Sequence, residues 1–312
     1  MARAHGARAQ CAFAFESTYG TAPVSGFSKL PFASTNLGMM QDLIASELLG
    51  YGRDPLAPIK DVQKTEGDIV VPIDSDAFGF WLKLLLGAPV TTGTTPKTHT
   101  FQSGGWTLPS AAIEIGNPDV PDYRMLTGVR ANTLQVQMQR SGQLQASIGL
   151  IGQGEAPNAA AQSGTLAAIT LQRFGHFQGA IKRDTVALAN IVSGDFTYSN
   201  GLDPVETIRS DGKIDGVDPG MASLTGKIVS RFADTTLRTQ ALNGAPCELE
   251  FSWTIGANAS LKLTAHAVYL PVPKVEIPGP QGLQAEFDWQ AAQAASPARL
   301  CTAVLVNTVA SY

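Results

Sequence analysis

Charged side chains are scarce in this sequence of 312 residues. Asp, Glu, Lys and Arg make up only 15% of it, and the formal net charge is −4 at pH 7. A protein that binds nucleic acid through its phosphates needs a surplus of Lys and Arg, so this composition argues against that class of protein. Glycine (31) and proline (19) are frequent. Together with the low charge, they indicate an all-β protein with many turns and extensive protein–protein contact.

Cysteine and histidine are also rare. The three cysteines, Cys11, Cys247 and Cys301, are far apart and form no Cys-x-x-Cys pair, so neither a zinc site nor a disulfide framework is indicated. The four histidines lack metal-ligand spacing, and phosphate-binding glycine loops and serine-nucleophile elbows are missing from the sequence. We therefore predict no catalytic residues, no metal and no cofactor, and synthesis in a reducing cytoplasm.

Long apolar runs are missing as well. No stretch approaches the ~20 apolar residues of a membrane-spanning helix. The first apolar run is short and is broken by Gln10 and Glu16, which does not fit a secretory signal. Residues 1–35 are rich in Ala, Gly, Ser and Arg and show no clear period, so they are predicted to form an extended arm.

Two similar units lie at residues 67–89 and 226–246. Each begins with Gly, a charged residue and Ile-Val, a composition typical of a strand. Each then passes an aspartate, continues in a helical pattern and stops at Gly-Ala-Pro. The shared order predicts an internal duplication, and the chance recurrence of a common helix stop is the alternative.

Each unit contains one predicted helix with an acidic residue near its start. Asp74 or Ser75 can cap the first helix, and Asp234 can cap the second. The first helix carries aromatic and leucine side chains every three or four residues on one face. The second has a thinner apolar stripe, formed by Leu237 and Ala241.

The clearest alternation of apolar and polar residues lies at residues 133–150. It predicts a β-hairpin with one apolar face and one polar face that carries almost no charge. Similar alternation at residues 247–255, 261–267 and 284–290 predicts further strands. In contrast, residues 54–65 are predicted to be a polar loop.

These patterns predict a mainly β fold. It consists of two tandem, duplicated domains of β-sandwich or split-barrel type, each with one flanking α-helix. The predicted order is an N-terminal arm at residues 1–35, a first domain at 36–155, a linker at 156–164 and a second domain at 165–312. The linker is small, polar and rich in residues that break regular structure.

Several stretches, taken in order, form a recognisable series: GARAQCAFAFESTYGTAP, SELLGYGRDPLAP, GDIVVPID, FGFWLKLLLGAP, LPSAAIEIG, GVRANTLQVQMQRSGQLQASIGLIGQGE and YSNGLDPVETIRSDGKIDG. In this order they resemble the major tail tube proteins of long-tailed (siphophage-type) bacteriophages. The resemblance implies a structural virion protein without enzymatic activity. Its copies would form rings whose inner strands close into one β-barrel, and stacked rings would form the hollow tube that carries phage DNA into the host.

The resemblance also implies partners and a location. The protein would associate with itself and with the tape measure, terminator and distal tail proteins of the virion tail, after synthesis in the host cytoplasm, and DNA would pass without specific binding. If each half is one tube domain, three chains would form a ring. A single elaborated domain would require six.

Two sets of residues are candidates for these roles. The predicted lumen-facing residues lie on polar strand faces: Gln135, Gln137, Gln139, Gln145, Ser147, Gln284, Glu286 and Asp288. The predicted ring-stacking residues come from the N-terminal arm and from an acidic loop at residues 203–219: Arg3, Arg8, Phe13, Phe15, Asp203, Glu206, Asp211 and Asp215.

A β-sandwich protein of the tail tip that binds or cleaves carbohydrate is the alternative. Glu248 with Glu250, or Glu286 with Asp288, could supply the paired carboxylates of a glycosidase. However, a spacing of two residues is also what any polar sheet face produces. Only Trp106 offers a tryptophan in a loop for stacking on a sugar, so the structural interpretation is preferred.

Overall fold

The chain folds into antiparallel sheets with two α-helices in the part that a computed structural model describes, residues 3–274, 277 and 279–312. The predicted mainly β fold is confirmed. The elements, in chain order, are β1 (Gln10–Phe15), β2 (Ser28–Leu30), β3 (Ser34–Thr35), β4 (Gly38–Ile44), β5 (Ile59–Pro72), α1 (Phe78–Leu86), β6 (Val90–Thr92), β7 (Lys97–Gln102), β8 (Ala111–Asn117), β9 (Asp122–Gln139), β10 (Gln145–Gly152), β11 (Gly154–Asn158), β12 (Gly179–Arg183), β13 (Val186–Ala187), β14 (Ile191–Ser199), β15 (Asp203–Val205), β16 (Gly216–Asp218), β17 (Ser223–Arg231), α2 (Thr236–Asn243), β18 (Cys247–Ile255), β19 (Ala259–Tyr269), β20 (Gln284–Ala292) and β21 (Cys301–Asn307).

One sheet, here called the main sheet, runs through both halves of the chain. Its strand order is β4–β5–β10–β9–β14–β17–β20–β19, and each neighbouring pair is antiparallel. The long strand β9 also enters a side sheet with the order β2–β1–β8–β9–β11. Beyond β19, the strands β18, β12 and β13 continue on one edge, and β21, β7 and β6 on the other.

The two halves have corresponding connections. In the first half, β5 pairs with β10, and β9 pairs with β8, β10 and β11. In the second half, β17 pairs with β20, and β19 pairs with β18, β20 and β21. The helices α1 and α2 directly follow β5 and β17. This correspondence is compatible with the predicted duplication.

The register of the strands agrees with the sequence repeat. Pro72 lies opposite Gln145 in the first half, and Arg231 lies opposite Gln284 in the second. Pro72 and Arg231 occupy the same position in GDIVVP and GKIVSR. When the two repeat units are aligned, the strands that pair with them therefore also align, with no shift in register.

Even a side-chain contact recurs between the halves. The Asn36 side-chain oxygen accepts a hydrogen bond from the Asp68 backbone N–H at 2.5 Å, and the Asp195 carboxylate accepts one from the Lys227 N–H at 2.9 Å. Asp68 and Lys227 are the second residues of the two repeat units. The same local contact therefore recurs at the start of the two repeat units, and these two places, at Gly67–Asp68 and Gly226–Lys227, are called here the bends.

A glycine permits close backbone contact at each bend. A Cβ atom added to Gly67 would lie 2.8 Å from the carbonyl oxygen of Asn36, and one added to Gly226 would come still closer to the carbonyl oxygen of Asp195. Contacts this short force the backbone to shift. The first glycine of each repeat unit is thus required by packing.

The helices begin and end at the predicted signals. The Asp74 carboxylate lies just ahead of α1 and accepts hydrogen bonds from the N–H groups of Asp76 at 2.8 Å and Ala77 at 2.6 Å. The Asp234 carboxylate accepts one from Thr236, the first residue of α2, at 2.9 Å. Positive φ angles of 93° and 65° at Gly87 and Gly244 end the helices.

Three predicted segments differ from the structure. Residues 1–35 are not simply an arm, because β1 pairs with β8 and buries its side chains. Residues 54–65 are not simply a loop, because β5 begins at Ile59 and pairs with β4. The predicted linker at 156–164 begins inside β11. In each case, strand pairing over a long sequence distance overrides a local composition typical of loops.

The three cysteines are buried: Cys247 and Cys301 lie in strands with an apolar pattern, and Cys11 lies in β1, within the segment predicted to be an arm. Burial raises the pKa of Cys11 and Cys301 to about 12 and that of Cys247 to about 11. Neither described helix has the length and apolar composition needed to cross a membrane.

Candidate assembly site

The main sheet presents one polar face to the surface. On β9, for example, Gln135 and Gln137 are exposed while Leu134 and Val136 are buried in the core. One row of directly opposite residues on this face crosses six strands from β5 to β20: Val70, Ser147, Gln135, Thr197, Thr225 and Gln290. The two halves therefore share one continuous surface, called here the polar face.

All of the predicted lumen-facing residues lie on the polar face. Those of the first half occupy β9 and β10, and those of the second half lie on β20, opposite β17. For example, Glu286 of β20 lies opposite Val229 of β17. Val229 lies opposite Ser193 of β14, and Ser193 lies opposite Gln139 of β9. The structure thus places the two sets on one surface, although they are far apart in sequence.

Charges on the polar face compensate one another in the second half. The Lys227 ammonium lies 2.9 Å from the Glu286 carboxylate and 3.5 Å from that of Asp288. The hydrogen bond to Glu286 raises the pKa of Lys227, so this lysine stays charged and paired. Burial raises the pKa of the neighbouring Asp195, against the effect of its hydrogen bond from the Lys227 N–H. On β9 and β10 the face is mostly glutamine, serine and threonine, and β5 adds the exposed carboxylates of Glu66 and Asp68.

The main sheet has two open edges, one on β4 and one on β20. At one end, β4 pairs only with β5 among the described strands. At the other end, β20 pairs with β17 over residues 284–290 but with β19 only over residues 290–292. Within the described chain, residues 284–289 therefore have an edge without a strand partner. Open edges of this kind are templates for pairing with another chain.

Two grooves of nearly equal volume, about 720 and 730 Å³, lie in corresponding places on the sheet. Corresponding residues line the two grooves. The first groove is lined by Asn36, Gly67, Asp68, Gly149 and Leu150, and the second by their counterparts Asp195, Gly226, Lys227, Asp288 and Trp289. The first groove also meets Thr133, inside β9, whereas the second meets Leu270 and Pro271, which follow β19. The grooves differ mainly in whether a strand continues past them.

The predicted stacking residues of the N-terminal segment are in different environments. Phe13 is fully buried and its ring packs 5.3 Å from that of Trp81, so it is a core residue and not a surface contact. Phe15 is half-buried beneath the Lys83 ammonium, 4.1 Å from its ring centre. Arg3 and Arg8 are exposed, and Arg8 forms an ion pair with Asp119.

The predicted acidic loop at residues 203–219 contains the hairpin of β15 and β16, and its four candidate residues are exposed. Arg209 pairs with Asp211 at 3.0 Å and with Asp215 at 2.7 Å. Its hydrogen bond lowers the pKa of Asp211. No described group of three or more His, Cys, Asp or Glu residues is arranged to hold a metal ion.

The sequence patterns did not identify an apolar hairpin. Residues 40–62, the end of β4, the start of β5 and the turn between them, form a segment that we call the hairpin arm. It exposes many large apolar side chains: Met40, Leu43, Ile44, Leu48, Leu49, Tyr51, Leu56, Ile59 and Val62. Concentrated apolar exposure marks an interaction surface. The signal was hidden because Lys, Asp and Gln separate these residues at irregular intervals.

The carboxylates of the carbohydrate hypothesis are all engaged with basic side chains. Each has a basic partner within 4 Å: Glu248 with His266, Glu250 with Lys182 and Lys262, and Glu286 and Asp288 with Lys227. Burial raises the pKa of Glu250, but its hydrogen bonds from the two lysines outweigh this effect and lower it overall. Glu250, Glu286 and Asp288 therefore serve as ion-pair partners within the sheet, and Glu248 serves as a hydrogen-bond partner of His266.

The family model described as "Phage tail tube protein" matches residues 6–291, which include both halves and nearly the whole main sheet. No curated protein matches the chain.

Proposed function

Because this chain belongs to the phage tail tube protein family, we propose that its copies join edge to edge into rings and that the rings stack into the tube that conducts DNA. The protein is a structural component of the virion tail. We further propose that residues 36–155 and 165–312 are two tube domains, so that three chains complete one ring.

The continuous polar face with two open edges carries this proposal. A sheet that is apolar on one face and polar on the other, and unpaired at two edges, satisfies its edges when identical copies close into a ring. The polar face then lines the lumen. The corresponding strand connections of the two halves support two domains per chain.

The chemistry of the polar face suits DNA passage. Glutamine, serine and threonine side chains offer no fixed positive charge, and Lys227 is held between Glu286 and Asp288. Phosphate groups are retained by clustered cations, so a neutral to mildly acidic lumen lets DNA slide.

Exposed segments outside the polar face are candidates for contact between rings. They are residues 43–62 of the hairpin arm, the β15–β16 hairpin with Asp203, Glu206, Asp211 and Asp215, and the N-terminal residues Arg3 and Arg8. The tape measure, terminator and distal tail proteins are the proposed further partners.

Electron microscopy of the purified protein, combined with its mass by light scattering, tests the assembly. We expect stacked rings or tubes with a ring mass of three chains. A protein that remains monomeric at high concentration and across salt conditions would contradict the proposal.

A double substitution tests the lumen assignment. Gln135→Arg with Gln137→Arg is expected to leave folding and tube formation intact, because both side chains are exposed on the polar face. DNA ejection and infectivity should fall, because the new cations hold phosphates. Gln102→Arg, an exposed glutamine on β7, is the control. Loss of folded protein, or normal ejection through variant tubes, would show that this face does not line the lumen.

A further inference from the structure

The chain already contains one joint between its two halves. Residues 193–199 of β14 run antiparallel to residues 139–133 of β9. The pairing continues for one more residue, since the Asn200 N–H donates to the Asn132 carbonyl oxygen at 2.8 Å. A joint between two copies can be compared with this internal one.

Residues 34–40 correspond to residues 193–199. Ser34 lies opposite Val70 and Gly38 opposite Glu66, whereas Ser193 lies opposite Val229 and Thr197 opposite Thr225. Val70 and Val229 occupy the same position in the two repeat units. The outer edge of β3 and β4 is therefore the counterpart of the edge that β14 presents to β9.

Side chains shield this outer edge. The Asn36 N–H points toward β5, because it donates to the Asp68 carbonyl oxygen at 3.1 Å. The N–H groups of Leu37 and Met39, which point away from β5, instead meet side chains. Leu37 donates to the Thr35 hydroxyl oxygen at 3.1 Å, and Met39 donates to a carboxylate oxygen at 3.0 Å.

That carboxylate belongs to Glu155 of β11. The counterparts of Leu37 and Met39 are Phe196 and Tyr198, which lie opposite β9 residues in the internal joint. Buried backbone donors need acceptors, and exposed edges need protection. Thr35 and Glu155 supply acceptors for the N–H groups of Leu37 and Met39, whereas the counterparts of these two residues in the second half face strand β9.

The other end of the sheet stops short at the corresponding place. Tyr269 lies opposite Gln290, as Arg130 lies opposite Ile151 in the first half. From Arg130, β9 continues for nine more residues, to Gln139, whereas β19 ends at Tyr269. Residues 270–273 belong to no strand. By the same count, Val272 and Pro273 take the positions of Thr133 and Leu134, where the β9 segment that receives β14 begins.

We propose that residues 38–40 of one copy pair antiparallel with residues 272–274 of a second copy, as β14 pairs with β9, and that Thr35 and Glu155 shield the edge until then. This inference rests on the proposed ring assembly. Counting from Tyr269 and Arg130 places Met40 opposite Val272. Both side chains are apolar. Met40 is 61% exposed and Val272 is 53% exposed, and the joint covers them.

The proline residues of the receiving segment fit its role. Counting in the same way places Pro273 opposite Met39. Proline lacks an N–H, so Pro273 accepts the Met39 hydrogen bond without offering a donor in return. Pro271 then corresponds to Asn132, where the register of β9 with β10 shifts by one residue, a place where proline is tolerated.

Disulfide trapping tests the register. Met40→Cys and Val272→Cys are made as separate variants and mixed under mild oxidation. The native cysteines are buried and do not compete. We expect a covalent dimer in the mixture and none in either variant alone, since directly opposite positions of this kind place Cβ atoms within disulfide range. Met40→Cys mixed with Val24→Cys, another exposed position, is the control.

The outcomes separate this inference from the proposed function. Rings by electron microscopy without the Met40–Val272 crosslink would overturn the joint and leave ring assembly standing. The absence of both rings and crosslink would overturn the two together. A crosslink equally strong with the Val24 control would also count against the joint.

Two further variants test the shielding. Met39→Pro removes the outward N–H and is expected to abolish assembly of a folded subunit. Ala187→Pro is its control, because β13 turns the adjacent Leu188 N–H toward Ile181 and leaves that of Ala187 outward on an unrelated edge. Circular dichroism melting checks that each subunit is folded.

Removing the acceptors should have the opposite effect. Thr35→Val combined with Glu155→Ala exposes the two N–H groups, so assembly should begin at several-fold lower protein concentration than in the wild type. Gln102→Ala, which removes an exposed polar side chain on β7, should leave the onset unchanged. An unchanged or higher onset for the double variant would overturn the shielding role.

Discussion

The two halves of the chain build the same strand connections around very different helices. In α1, seven of nine residues are buried, including Phe78, Trp81 and Leu84. In α2, only Leu237 and Ala241 are buried among eight residues. The halves therefore share the sheet and its bends, whereas the helix has become a core element in one half and a surface element in the other. What corresponds between them is the part that would face a neighbouring copy.

The largest expected effect comes from truncating each helix at its buried centre. Trp81→Ala should lower the free energy of unfolding by about 3–5 kcal/mol, because it leaves a large cavity beside Phe13. Leu237→Ala should cost about 2 kcal/mol, at the lower end of the range, because α2 lies at the surface. Urea unfolding measures both. Arg238→Ala, on the exposed side of α2, is the control, and equal losses for Trp81 and Leu237 would contradict the contrast.

The next effect tests the shared bend. Gly67→Ala and Gly226→Ala should each cost about 1–3 kcal/mol, because a Cβ atom collides with the carbonyl oxygen of Asn36 or Asp195. Gly216→Ala, where a Cβ atom meets open space, serves as the control. Thermal melting compares the three variants. A loss at one bend without the other would show that the halves are not equivalent there.

The smallest effect is a difference in pH dependence between the two helix caps. Burial raises the pKa of Asp74 from 3.8 to about 6, so the folded state holds this proton more tightly, and stability falls as the pH rises between these values. The hydrogen bond from Thr236 lowers the pKa of Asp234, so its contribution is present above the ordinary pKa and is lost as the pH falls below it.

Asparagine substitutions reveal this difference. Asp74→Asn keeps an acceptor for Ala77 and removes the buried charge, so it should raise the melting temperature at about pH 7 and change it little at about pH 4. Asp234→Asn should lower the melting temperature slightly at about pH 7, with the gap closing in acid. Shifts of the same sign for both variants at neutral pH would contradict the assigned causes. Asp74→Ala, which also loses the cap, separates charge from hydrogen bonding.

Much of the architecture could be predicted because it depends on local patterns of the sequence. Alternation at residues 133–139 identified the exposed and buried faces of β9, and the Gly-Ala-Pro stops identified both helix ends. The hairpin arm and β1 could not be predicted in the same way. The start of β5 is almost wholly exposed and so lacks alternation, and β1 is buried on both faces and resembles an irregular alanine-rich segment.

Local sequence patterns are sufficient to assign the side chains of each strand to the core or to the polar face, because the two-residue period of a strand is a local property. The repeat, including the glycine at each bend, is also visible in the sequence. That the polar faces of the two halves form one surface depends on tertiary pairing, since β9 and β14 are joined by hydrogen bonds between residues about 60 positions apart. Such long-range pairing sets the order of the strands and therefore decides which edges are open. Local sequence patterns carry no information about it.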